Sequence, residues 1–293
     1  MKRLIPVLTS IVLALSLQSC AVGRFAVNAQ YPVPQHNGET QGVLEEVFFP
    51  SSEPGMVERR AYVYLPKDYY DNEDRYPVLY LLHGARGNEC SWIEKGNLLH
   101  NIDSLYACKA MLPTIVVLPN ASQYDDAGDY GKSRLKGALE SFYEIDGTVE
   151  SRFVDDVVSS TDSLYRTIPD KQHRAIAGLS VGAMQSIYIS ARNPETFAYV
   201  GLFSPYVHPF LKRGDDNEFF RKLDENMAIQ FQDPPTLYLL MIGKTDIFMP
   251  TILCWEKKLT AKGFPHEFHL VPGGHEWNNW EDFSIKFMQR LWK

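Results

Sequence analysis

Short, mostly apolar runs alternate along this chain with stretches in which apolar residues recur every three or four positions. Val78 to Leu82, Thr114 to Leu118, Ala175 to Ala177, Tyr199 to Phe203, Leu237 to Ile242 and Phe268 to Val271 form the first kind. Such runs suit strands buried on both faces. Between most of them lie helical-period segments, among them Phe153 to Tyr165, Ala183 to Ala191, Thr251 to Lys262 and a terminal one near Trp280 to Trp292. Repeated strand and helix predict an α/β fold with a mostly parallel central sheet and helices on both faces. Val43 to Phe49 and Val57 to Leu65 are rich in β-formers and flank Ser51-Ser52-Glu53-Pro54-Gly55, so antiparallel strands are expected to open the domain.

Both ends of the pattern have exceptions. Lys2 and Arg3 precede an apolar stretch, Leu4 to Leu17, too short to span a bilayer whose core needs about 20 helical residues. It reads as a secretory signal. Leu17-Gln18-Ser19-Cys20 resembles the end of a bacterial lipoprotein signal, in which the Cys is acylated after cleavage. Residues 1–19 are therefore expected to be a signal peptide, 20–42 a lipid anchor and tether, and 43–293 one catalytic domain. Lipid at Cys20 would hold the chain at a membrane without spanning it, extracytoplasmic and facing the periplasm or the cell surface. The polar, Tyr-bearing stretch 120–148 is too long for a routine connection and follows the end of a strand, where open α/β sheets carry their sites. It is expected to face substrate.

Composition narrows the function class. The 293 residues are 45% hydrophobic with a formal net charge of −7, and outside the extreme N-terminus no basic run occurs. A large core is affordable and a nucleic-acid partner is disfavoured. With Cys20 given to lipid, Cys90, Cys108 and Cys254 allow at most one disulfide, three buried thiols being the plainer reading. None has metal-site spacing, and no cofactor is called for.

Three loops carry the candidate chemistry. Gly178-Leu179-Ser180-Val181-Gly182 follows a strand and opens a helical segment, the context in which G-x-S-x-G lifts a serine onto a strained turn. A serine hydroxyl needs a base to take its proton and a carboxylate to orient that base. Asp246 follows the strand Leu237 to Ile242, and His275 follows Phe268 to Val271. Ser180, Asp246 and His275 thus stand in α/β-hydrolase order. After Val78 to Leu82 comes His83-Gly84-Ala85-Arg86-Gly87, where Ala85 N–H is expected to form an oxyanion hole with Val181 N–H, His83 being a loop stabiliser rather than a catalyst. Trp92, Tyr124, Tyr130, Tyr143, Trp277 and Trp280 lie near these loops in sequence; all but Trp280, which with Trp277 is expected to seat the last helix, are candidate ring-stacking contacts.

Five blocks together carry a resemblance: Tyr80-Leu81-Leu82-His83-Gly84, Ile115 to Asn120, Tyr165-Arg166-Thr167-Ile168, Arg174 to Gly182, and Pro272-Gly273-Gly274-His275-Glu276-Trp277. In this order they resemble the Putative esterase family of α/β hydrolases, which includes feruloyl and acetyl-xylan esterases and esterase D. The resemblance covers residues 43–293 and implies Ser180 as nucleophile, His275 as base and Asp246 as its partner. The chain departs in Gly182-Ala183, where a Gly pair is usual, and in Ala85-Arg86, where the family loop is richer in Gly. The resemblance implies hydrolysis of carboxylic esters through an acyl-enzyme, removing feruloyl, acetyl or similar groups from glycans. An acyltransferase or siderophore esterase would use the same triad, and an inert glycan-binding lipoprotein is the non-enzymatic alternative.

Overall fold

The structure, a computed structural model, describes residues 42–52, 58–122, 147–207 and 222–293. The signal segment, Cys20, nearly all of the tether and most of the stretch 120–148 lie outside the described residues. Eight strands form one sheet: β1 (Val43–Pro50), β2 (Glu58–Leu65), β3 (Val78–Leu82), β4 (Ile115–Pro119), β5 (Arg174–Leu179), β6 (Tyr199–Phe203), β7 (Leu237–Gly243) and β8 (Glu267–Val271). Their spatial order is β1-β2-β4-β3-β5-β6-β7-β8. The pairs β1–β2 and β2–β4 are antiparallel and every other pair is parallel, as the strand patterning predicts.

Successive residues of a strand face opposite ways, and the central strands divide accordingly. Tyr80, Leu82, Ile176, Val200, Leu202, Leu240 and Ile242 enter one core. Leu79, Leu81, Ala175, Ala177, Phe203, Leu239 and Met241 enter the other. The first core is covered by α5 (Val181–Arg192) and α7 (Met249–Ala261), the second by α2 (Leu98–Ala107) and α8 (Trp277–Met288). Each strand therefore needs apolar residues at every position, which is why β3, β5, β6 and β7 read as unbroken runs.

Several expectations are corrected. β8 is an edge strand and not buried on both faces: its residues are half-buried or exposed, Leu270 among them, because among the described residues no strand lies beyond it. The helix expected from Phe153 starts earlier, as α3 (Thr148–Phe153), passes through one π turn at Val154–Val158, and ends as α4 (Ser159–Leu164). The terminal helix starts at Trp277 and stops at Met288, short of Trp292, whose φ is +61°. Three helices were not anticipated: α1 (Ser91–Lys95), α2 and α6 (Leu223–Gln230). Cys90, Cys108 and Cys254 are all free thiols, and only Cys90 is buried.

The chain passes from β3 to β4 on one side and returns to β5 on the other. Adjacent parallel strands whose connections diverge leave a crevice at their carboxyl ends. His83 follows β3 there and Ser180 follows β5.

Candidate active site

Ser180 takes φ 53° and ψ −113° between β5 and α5. A non-glycine residue held there costs about 1–3 kcal/mol, and its surroundings must enforce the geometry. They do so through the main chain: Ser180 N–H donates to Phe203 O at 2.9 Å, and Ser180 O accepts from Met184 N–H at 3.1 Å and Tyr206 N–H at 3.3 Å. The two glycines of the motif let the backbone close up. A Cβ on Gly178 would stand 2.5 Å from Gly182 C, and one on Gly182 would stand 2.3 Å from His83 O.

The three residues proposed from their order converge. His275 Nε2 lies 3.0 Å from Ser180 Oγ, and His275 Nδ1 lies 2.9 Å from Asp246 Oδ2. All three side chains are buried or nearly so. The other Asp246 oxygen, Oδ1, accepts Phe248 N–H at 2.9 Å, which fixes the carboxylate plane. A carboxylate can only accept, so Nδ1 carries the ring proton and Nε2 presents its lone pair to the serine hydroxyl.

The imidazole is also clamped by rings. Phe248 and Trp280 meet it edge-on, with centroids 4.9 and 4.8 Å away and interplanar angles of 88° and 86°. Its loop is tied down by Glu276, whose Oε1 accepts Gly274 N–H at 2.9 Å, and by Asn279, whose Nδ2 donates to Gly274 O at 2.9 Å. Thr245 N–H donates to Gly273 O at 3.0 Å, joining the loops of acid and base. Phe248, Glu276 and Asn279 were missed in the sequence; only Glu276, inside the Pro272 to Trp277 block, had any signal there.

The candidate oxyanion donors belong to the loops that meet at this crevice. Val181 opens α5, so its N–H is among the first-turn donors with no partner inside the helix. Ala85 lies in a turn closed by Gly87 N–H donating to Gly84 O at 3.0 Å. A Cβ on Gly84 would stand 3.4 Å from Ser180 Cβ, so this turn abuts the nucleophile. The ring nitrogens of His83 bond Gly84 O and Ala121 N–H.

The aromatic candidates fare unequally. Trp92 is 1% exposed, packs in the second core and donates Nε1–H to Leu82 O at 3.0 Å. It has no surface to offer a ligand, which corrects its place among the substrate contacts. Trp277 is half-buried and packs edge-on against Trp92 and Trp280 at 5.4 and 5.3 Å, so it does seat the last helix, as does the buried Trp280. Tyr124, Tyr130 and Tyr143 lie outside the described residues. Among the described residues, no three His, Cys, Asp or Glu side chains gather to hold a metal ion.

The family model described as Putative esterase matches residues 52–287. The chain belongs to this family. The chain is 31% identical over 259 residues to an endo-1,4-beta-xylanase/feruloyl esterase of Xylanibacter ruminicola, covering 86% of this chain and 32% of that protein. It is 27% identical over 247 residues to an uncharacterized protein of Corynebacterium glutamicum, covering 78% of this chain and 56% of that one. It thus spans a third to about half of the length of these curated relatives. Among solved structures, a ferulic acid esterase of Anaeromyces mucronatus in complex with ferulic acid superposes with a TM-score of 0.68 at 22% identity, over 92% of this chain and 98% of that one. The S-formylglutathione hydrolase of Agrobacterium tumefaciens gives 0.61 at 18% identity, over 88% and 98%. These similarities establish the α/β-hydrolase fold, and the family is the one described as Putative esterase.

Proposed function

We propose that the chain hydrolyses carboxylic esters by a two-step serine mechanism and removes feruloyl, acetyl or similar acyl groups from glycans. One observation carries the mechanism: the unbroken hydrogen-bonded row from Ser180 Oγ through His275 to Asp246. As Ser180 Oγ attacks the ester carbonyl, His275 Nε2 takes its proton and Asp246 stabilises the imidazolium that forms. The N–H groups of Ala85 and Val181 receive the charge developing on the carbonyl oxygen, each such donor lowering the barrier by about 3 kcal/mol. His275 then protonates the departing alcohol, leaving an acyl-serine. Water enters, is deprotonated by the same imidazole, and releases the acid.

The substrate reading is supported by the names borne by the Xylanibacter and Anaeromyces proteins. The half-buried Trp277, and Tyr124, Tyr130 and Tyr143 of the sequence stretch 120–148, are the proposed contacts for a phenolic or sugar ring. Lipidation at Cys20, proposed from Leu17-Gln18-Ser19-Cys20, would hold the enzyme extracytoplasmically on a bacterial membrane, periplasm-facing or at the cell surface.

Methyl ferulate and p-nitrophenyl acetate test the reading. The wild-type protein is expected to turn over at least one of them, and Ser180→Ala to lose about 10⁶ in kcat. Folded wild-type protein no faster than Ser180→Ala on a panel of acetyl and hydroxycinnamoyl esters would overturn the proposal.

A further inference from the structure

We propose that His83 is a positioning residue that holds the Ala85 N–H in its oxyanion-binding orientation. The inference rests on the serine-esterase reading above and adds the device that sets one of its donors.

The argument starts from two main-chain partners whose roles are unambiguous. Ala121 N–H lies 3.0 Å from His83 Nε2, and an amide N–H can only donate, so Nε2 carries the lone pair. Gly84 O lies 2.8 Å from His83 Nδ1, and a carbonyl can only accept, so Nδ1 carries the proton. The ring is therefore neutral and in one tautomer. Burial pushes its pKa down to about 4, which keeps it neutral at physiological pH.

The consequence falls on the Gly84–Ala85 peptide. Gly84 O accepts from His83 Nδ1–H and from Gly87 N–H at 3.0 Å. In a planar trans peptide the N–H points opposite to the C=O, so anchoring Gly84 O toward the ring turns Ala85 N–H away from it. Had this peptide flipped, a carbonyl oxygen would take the place of the donor and repel a developing oxyanion. A Cβ on Gly84 would meet Leu179 Cδ1 at 2.4 Å and Ser180 Cβ at 3.4 Å, so this peptide stands beside the nucleophile.

The frame behind His83 registers this donor to the other. Ala121 O accepts Gln185 Nε2–H at 2.9 Å, and Gln185 is a buried residue of α5, the helix that begins with Val181. Arg59 Nη1 donates to Asn120 O and, at 2.9 Å, to Ser122 O, fixing the strand exit on both sides of Ala121. Ala85 and Val181 come from separate loops, and the path Gly84, His83, Ala121, Gln185 joins them.

The test compares wild type with His83→Phe, His83→Asn and His83→Gln on p-nitrophenyl acetate. It is run beside the affinity for a trifluoromethyl ketone, which forms a tetrahedral oxyanion on the serine, and for ferulate, which does not. His83→Phe keeps the ring volume and removes both hydrogen bonds; a kcat loss of about 10² with KM within twofold is expected. Trifluoromethyl ketone affinity should fall by a similar factor while ferulate affinity holds. Asn, whose amide can stand in for Nδ1–H, should recover most of kcat; Gln, which offers its amide at the Nε2 position, should recover less. Should the Phe variant fail to fold, the Asn and Gln variants decide: Gln equal to or better than Asn overturns the proposal. So does a folded Phe variant within threefold of wild-type kcat, or one whose ketone affinity is unmoved. Wild-type protein without Ser180-dependent turnover would instead sink the esterase reading itself, so the two failures are distinguishable.

Discussion

Gly182 in the first turn of α5 rests directly on the main chain of His83: a methyl group on it would lie 2.3 Å from His83 O and 2.8 Å from Leu82 O. Backbone atoms at that distance cannot swing aside as a side chain does. Gly182→Ala must therefore push the nucleophile helix and the loop of Ala85 apart by a fraction of an ångström. Displacements of that order cost up to about 10² in rate. The expected outcome is a folded protein with kcat lowered by about 10–100-fold, checked by steady-state kinetics beside a thermal melt. An unchanged kcat would show that the two loops move independently.

Asp246 supports the base through Oδ2 while its Oδ1 is taken by Phe248 N–H. Asp246→Asn preserves shape, but an amide N–H facing Nδ1 favours the tautomer with the proton on Nε2, which can no longer accept from Ser180 Oγ. A kcat loss of about 10⁴ is expected at neutral pH. Stopped-flow assay of p-nitrophenyl acetate hydrolysis, with near-UV circular dichroism to verify folding, checks it. A loss under tenfold would separate Asp246 from the chemistry.

His83 carries a stability cost in acid. Its ordinary pKa of 6.5 falls to about 4 in the folded protein because burial disfavours the charged ring. Below pH 6.5 the unfolded chain takes up a proton that the native state refuses until about pH 4, so stability contributed by the neutral ring is full above 6.5 and lost on the way down. The span corresponds to about 3 kcal/mol. Urea unfolding of wild type and His83→Asn at pH 7 and pH 4.5 is expected to show a smaller acid-induced loss in the variant, which has no group to titrate there. Equal losses would contradict it.

Trp92 is core and not rim. Trp92→Phe removes the Nε1–H bond to Leu82 O and part of a buried ring. A stability loss of about 1–3 kcal/mol is expected, with KM for methyl ferulate unchanged. Trp277→Ala, at the half-buried neighbour, is expected to raise KM for methyl ferulate more than for p-nitrophenyl acetate. Reversed effects on KM would restore Trp92 to the substrate site.

Much of the sheet was legible because its central strands are buried on both faces, and a residue so placed has to be apolar whichever way it points. β3 and β6 have the limits expected of them, and β4, β5 and β7 differ by no more than a few residues at their ends. β8 misled for the same reason: Phe268 to Val271 reads like a central strand, yet among the described residues it has a partner, β7, on one side only, and it is exposed. The unanticipated helix α2 did leave a trace, with Leu98, Ile102 and Leu105 on one buried face. The π turn at Val154–Val158 left none that we can identify.

From its residues alone, this chain determines strand, helix and the order Ser180, Asp246, His275 after three strand ends, because periodicity and turn chemistry are local. What the tertiary structure alone decides is distance. Only the parallel pairing of β5, β6, β7 and β8 brings residues 95 and 29 positions away from His275 to within hydrogen-bond reach of its imidazole. The partners of His83 and the burial of Trp92 belong to the same class, since a buried polar group is defined by atoms from elsewhere in the chain.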